Sequence, residues 1–346
     1  MKKMISLLLA LIMCCSFTAT IFASNELSTD RLQNIGKNVE AFLANVNVRK
    51  EIKSSTYLYN YSDEIEALFY QLSGGGYVVA SYKDGHIIEY SPDNLPTLPN
   101  NASKRQKIFY GGPMLFCAET NDGLKNIVTG ELIDKDTNSY SIEYKDVIPS
   151  LSFDTISPTN QTRETPLLST PVNYVSATTS NGWFCTITGI VNLLQYYHDF
   201  FSADVYSGNV STIYGMRTAL NSNGYIYNGY LYLSDAATTH TEGGTTYYGL
   251  RSYLSRNDVT NYYVTDTTIT CAKVKSQIGT YSRPVLLMIN TSSISNNSGT
   301  HIVLCYGYWE TSMTTYYIVN NGWGSNSVYV CADDVPTNYE MLYLHQ

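Results

Sequence analysis

Asn181-Gly182-Trp183-Phe184-Cys185-Thr186-Ile187-Thr188-Gly189-Ile190-Val191-Asn192-Leu193-Leu194-Gln195-Tyr196-Tyr197 is the stretch on which the reading of this chain turns. Ser180, Asn181 and Gly182 are breakers without apolar period and predict a turn. Beyond Cys185, Ile187, Ile190, Val191 and Leu194 fall at i, i+3, i+4 and i+7, which predicts a helix running to about Phe201. A cysteine at that junction sits at a helix N-terminus, where the macrodipole and unpaired N–H groups favour the thiolate. A thiolate is the nucleophile of acyl-transfer chemistry. Cys185 is therefore the candidate nucleophile.

A thiol nucleophile needs a base, and the base needs a group to orient it. Outside the N-terminal part the histidines are His198, His240, His301 and His345. His198 lies thirteen residues beyond Cys185 on the same helix, about 20 Å along its axis, out of reach. His240 belongs to a Thr/Gly-rich turn, and His345 is one residue from the end of the chain. His301 opens the apolar strand Thr300 to Tyr308, just after a polar turn. A second strand, Tyr316-Tyr317-Ile318-Val319, runs into Asn320-Asn321-Gly322-Trp323-Gly324. A side-chain amide there can accept the imidazole N–H and fix its tautomer, with Trp323 as a shield. His301 is thus the candidate base and Asn321 the candidate orienter.

The order Cys, His, Asn, with Asn321-Gly322-Trp323-Gly324 after an apolar strand, resembles the papain-like cysteine peptidases. The run Leu193-Leu194-Gln195-Tyr196-Tyr197-His198 and the strand Gly299-Thr300-His301-Ile302-Val303 resemble more closely the streptopain family of secreted bacterial peptidases. Gly75-Gly76-Tyr77-Val78-Val79-Ala80-Ser81, followed by Ile87-Ile88-Glu89-Tyr90-Ser91, is similar to the inhibitory propeptides of that family. The peptidase resemblance covers roughly 168–335 and the propeptide resemblance roughly 25–92. It implies an α+β papain-like fold: a helix carrying Cys185, an antiparallel sheet carrying His301 and Asn321, and a small α+β prodomain in front. It also implies Cys185 as nucleophile, His301 as general base and acid, and Asn321 as orienter. Protein or peptide substrates and the chain's own propeptide as an inhibitor follow from the same resemblance. No metal or organic cofactor is implied. One departure falls six residues before the cysteine, where the family places an oxyanion-donating glutamine and this chain has Thr179, with Asn181 the nearest amide. Loss of one such donor costs on the order of 10²–10³ in rate. A transglutaminase-like or amidase acyl transferase, and a non-catalytic secreted binding protein of the same fold, are the competing readings.

The rest of the chain fits around that centre. Lys2 and Lys3, the apolar run Met4 to Phe17 and small residues up to Ala23-Ser24 predict a signal peptide over 1–23. Lipidation at Cys14 or Cys15 is the weaker alternative, because Met13 and Cys14 are not the small residues that site wants. The chain is expected to be secreted, in the medium or at the cell surface, with no stable membrane association. Of 346 residues, 44% are hydrophobic and 14% charged, enough for a buried core. A net charge of −8 gives nucleic acid no electrostatic foothold. Cys117, Cys271, Cys305 and Cys331 have no CxxC spacing; Cys305 and Cys331 read as buried strand residues.

Leu32, Ile35, Val39, Phe42 and Leu43 predict a helix ending near Asn45. Thr56 to Tyr61, Tyr77 to Ser81 and His86 to Ser91 read as strands, the last two joined by an Asp84-Gly85 hairpin. His86, beside that turn, is expected on the surface. Prolines 149, 158, 166 and 171 mark an extended linker, with Arg163 a bond open to nicking. The expected division is a propeptide-like 24–150, a linker with a processing site at 151–170, whose cleavage would release the propeptide, and a peptidase domain over 171–346. Val285 to Ile289 reads as a buried strand, Val274 to Ile278 and Thr246 to Leu254 as short helices, and Val328 to Cys331 as the strand that closes the sheet.

Overall fold

The apolar stripe predicted near the N-terminus forms helix α1 (29–45), which turns Ile35, Val39, Phe42 and Leu43 into the core. A computed structural model of the chain describes residues 29–93, 106–127, 132–133, 163–165, 184–201, 226–227, 230–231, 240–242, 245–247, 250, 254–255, 259, 261–290, 300–311, 314–322, 327–335 and 340–346. At 184–187 only the backbone is described. The expected signal peptide, most of the linker, Thr179, Asn181, Trp323 and the Cys185 side chain lie outside the described residues.

The chain is mixed α+β around one large sheet. Its N-terminal strands are β1 (Ile52–Tyr59), β2 (Ile65–Leu72), β3 (Tyr77–Ser81), β4 (Ile87–Ser91), β5 (Ile108–Tyr110), β6 (Phe116–Thr120), β7 (Gly123–Asn126), β8 (Leu132–Ile133) and β9 (Arg163–Thr165). Helix α2 (Phe184–Phe201) follows, with two small hairpins, β10 (Ile226–Tyr227) with β11 (Tyr230–Leu231), and β12 (His240–Glu242) with β13 (Thr245–Tyr247). The C-terminal part carries β14 (Tyr263–Thr268), the short helix α3 (Cys271–Lys275) with a π-turn Ser276–Thr280, β15 (Val285–Asn290), β16 (Thr300–Glu310), β17 (Thr315–Asn320), β18 (Val328–Cys331) and β19 (Glu340–His345).

Among the described residues fifteen strands form one sheet in the order β14-β19-β15-β16-β17-β18-β4-β3-β2-β1-β5-β6-β7-β8, with β9 beside β16. Every pair in it is antiparallel except β1 with β5. Alternate residues of a strand share a face. Ile302 and Leu304 pack with Ile190, Val191 and Leu194 of α2, while Tyr306, further along β16, packs with Val39 and Phe42 of α1. The two helices therefore cover the same face. Val303 and Cys305 face the other side, with Val274 and Ile278 of the α3 segment.

Several expectations change here. β18 does not close the sheet: it pairs with β4, Tyr329 opposite Tyr90 and Val330 opposite Glu89, so the N-terminal strands continue the C-terminal ones. Thr245–Tyr247 is a strand, and the next described residue, Leu250, is helical. The His240 turn is the first strand of that hairpin. Arg163 is not in a free linker but in β9, opposite Glu310 of β16.

His86 is no surface ornament. Its Nδ1 lies 2.6 Å from Asp84 Oδ1 and its Nε2 3.1 Å from Asp334 Oδ2, across 248 residues. Burial pulls the imidazolium pKa down, but the hydrogen bonds and charges of Asp334 and then Asp84 outweigh it and raise it to about 10. Asp84 is raised by burial yet brought down to about 2 by the His86 hydrogen bond and charge. His86 is therefore a cation between two carboxylates at neutral pH. Cys117, Cys305 and Cys331 are buried, as small apolar strand residues would be, and like Cys271 form no disulfide among the described residues.

Candidate active site

His301 is the second residue of β16, opposite Ile289 of β15 and only 3% exposed. Its Nε2 lies 2.8 Å from the main-chain carbonyl oxygen of Asn321. A carbonyl only accepts, so Nε2 carries the proton and Nδ1 carries the lone pair of the neutral ring. Burial lowers the His301 pKa to about 4, against the bond to Asn321, which raises it. The ring is thus neutral over the physiological range. The described contact runs to the backbone carbonyl of Asn321, where the sequence pointed to its side-chain amide.

The turn that presents that carbonyl is built locally. Asn320, at the end of β17 and 1% exposed, accepts the Gly322 N–H on Oδ1 at 2.9 Å. This Asx link folds the chain back over Asn321. Gly322 has φ +72°, in the left-handed region, and a Cβ there would stand 3.2 Å from Thr188 Cγ2. The sequence signal for this turn is the doubled Asn320-Asn321 before a glycine.

Helix α2 begins against the same spot. Cys185 is its second residue, one turn before Thr188 and Gly189. Thr188 abuts the Gly322 turn, and a Cβ on Gly189 would come within 2.9 Å of Ile302 Cγ2, next to His301 in β16. Gly189 lets the helix backbone lie directly on the strand. The described start of α2, the head of β16 and the turn after β17 therefore meet in one place.

The other histidines stand apart. His198 Nδ1 is 2.9 Å from Asp199 Oδ1 near the end of α2. His345 lies in β19, with Nε2 2.9 Å from Thr265 Oγ1. Among the described residues no group of three or more His, Cys, Asp or Glu is placed to hold a metal ion, and no helix is long and apolar enough to cross a membrane.

No family model matches the chain, and no curated protein matches it. A solved chain from work on the structural basis for the limited antibody cross-reactivity between the mite allergens Blo t 1 and Der p 1 is similar at 14% identity. The match covers 56% of this chain and 74% of that one, with a TM-score of 0.26.

Proposed function

We propose that the chain is a secreted, papain-like cysteine endopeptidase made as a zymogen, with Cys185 as nucleophile, His301 as general base and acid, and Asn321 as orienter. The observation that carries this reading is the His301–Asn321 hydrogen bond, which fixes Nδ1 as the accepting nitrogen. The residues next to this pair in sequence, Ile302 and Gly322, are the ones that α2 approaches, through Gly189 and Thr188. By spacing alone, positions 185, 188 and 189 fall on one side of a helix, which supports Cys185 as the nucleophile.

In this reading His301 Nδ1 takes the thiol proton, the thiolate of Cys185 attacks a peptide carbonyl, and the backbone N–H of Cys185 helps hold the oxyanion. His301 then protonates the leaving amine, giving an acyl-enzyme, and next removes a proton from the hydrolytic water. Residues 24–150 act as the intramolecular inhibitor, relieved by cleavage within 151–170. The closer resemblance to streptopain and its propeptides supports this arrangement through the residues quoted above.

A second reading, a secreted binding protein that keeps the fold without the chemistry, is favoured by one observation. His301 shares strand parity with Val303 and Cys305, on the side of the sheet away from α2, and is 3% exposed. The two readings separate on one experiment. A papain-directed epoxide should label Cys185 alone in the processed protein, and casein cleavage should vanish with the label and in Cys185→Ala. A processed protein that neither takes the label nor cuts casein is the binding protein.

A further inference from the structure

Four separate contacts tie residues 29–127 to the strands that carry His301. The first is the backbone ladder between β4 and β18. The second is an aromatic cluster on the helix-covered face. Phe42 of α1 meets Tyr90 at 5.4 Å between ring centroids, Trp309 at 5.7 Å and Tyr316 at 5.6 Å. Residues of both modules interleave there, and Trp309 is 3% exposed and Tyr316 5%. The third lies on the other face, where Met114, held at φ +66°, enters the cluster formed by Val285, Val303 and Val330. The Met114 N–H donates to the buried Glu89 Oε2 at 2.6 Å. The His86–Asp334 ion pair closes the end of the joint.

We propose that the N-terminal module is a permanent part of this sheet, so that a cut in the linker leaves one noncovalent two-chain molecule rather than a released propeptide. A propeptide that departs must leave a finished surface behind it. Here departure would bare the edge of β18, with unpaired N–H and C=O groups, beside the uncovered rings of Trp309 and Tyr316. It would also empty the Met114 position in the opposite cluster and leave the Asp334 carboxylate, 5% exposed in its side chain, without its cation. Both faces and the edge of the C-terminal strands are finished by the N-terminal module. The processed protein keeps both pieces. The inference concerns the joint alone and does not rest on the chemistry of Cys185.

The test uses the full chain with Cys185→Ala, to prevent self-processing, and a site-specific protease sequence inserted after Ser150. After cutting, gel filtration at pH 7 should give one peak at the volume of the uncut chain, containing both fragments, which part only in denaturant. An N-terminal fragment eluting by itself overturns the proposal. Native-state hydrogen exchange on the unaltered chain gives a second measurement that needs no variant. Amides of β4 and β18 at the joint should open within about tenfold of those in β3 and β17, as one cooperative unit. Joint amides exchanging faster than that margin would show a module that opens independently, and the proposal fails.

Discussion

His301 gives its Nε2 proton to the carbonyl oxygen of Asn321, 2.8 Å away and twenty residues on. A main-chain acceptor makes the tautomer independent of the residue type at 321. Asn321→Ala should therefore keep the His301 tautomer, read from imidazole ¹⁵N shifts, and lose less than about tenfold in kcat/KM, which is about 1.4 kcal/mol. Asn320→Ala removes the Gly322 link that folds the turn and should cost more than Asn321→Ala. The reverse order would return the orienting role to the Asn321 side chain.

The pH dependence of stability has a defined sign at His301. Burial lowers its pKa from 6.5 to about 4, so between those values the unfolded chain binds the proton and the folded one does not. Stability falls as pH drops through that window. In His301→Gln the curve of denaturation midpoint against pH should flatten between pH 6.5 and 4. An unchanged acid slope would place the titration elsewhere.

Glu89 runs the other way. It is fully buried, and burial raises its pKa from 4.5 to about 8, against the Met114 N–H and the Tyr77 and Tyr110 hydroxyls, with the Asp334 charge adding to the rise. The folded state keeps the proton that the unfolded state has lost, so stability declines as pH rises from 4.5 to about 8. Glu89→Gln should remove that decline while leaving the fold intact, checked by urea titrations across the range.

His86 adds a further alkaline loss. With its pKa raised to about 10, its contribution is whole below 6.5 and disappears as pH climbs through 10. His86→Ala leaves Asp334 a buried carboxylate without a cation and should cost about 3–5 kcal/mol at pH 7. His86→Ala with Asp334→Asn should recover a large part of that. Equal losses in the single and double variants would mean the pair is not coupled.

At the helix–strand contact, Gly189→Ala brings a Cβ to 2.9 Å from Ile302 Cγ2 and 3.3 Å from Leu286 Cδ2. Alanine favours a helix by about 1 kcal/mol over glycine. Overpacking outweighs that, with an expected net loss of about 1–3 kcal/mol. Combining it with Ile302→Ala, which removes the opposing methyl, should cost less than the sum of the two single changes. Additive losses would mean that α2 does not lie directly on β16.

The elements legible in the sequence are those whose burial has a local rhythm. The stripes of α1 and α2 repeat at helical spacing, and β3 and β15 are short apolar runs bounded by turn residues. β2, with the continuous buried stretch Ala67 to Tyr70, has no alternation and went unread because both its faces are covered. β19 was missed in the same way, although it lies between β14 and β15. The joint between β4 and β18 has no local signature, since its partners are some 240 positions apart. His86 looked like a turn residue because the partner that defines it, Asp334, is equally remote. At the candidate site the histidine and its neighbouring turn were legible from residue types. A backbone carbonyl as the acceptor of the His301 N–H was not, because every residue carries one.

The β4–β18 ladder also sets the order of events during synthesis. The chain emerges N-terminus first, and β4 must wait for residues 328–331 before its outer edge finds a partner. For that interval Ile87–Ser91 is an apolar strand with a bare flank, the kind of template on which neighbouring chains stack. Glu89 lies in the middle of it, and in water its carboxylate is ionised. An inward charge on a waiting strand discourages wrong pairing, until Val330 comes to lie opposite it and the edge disappears.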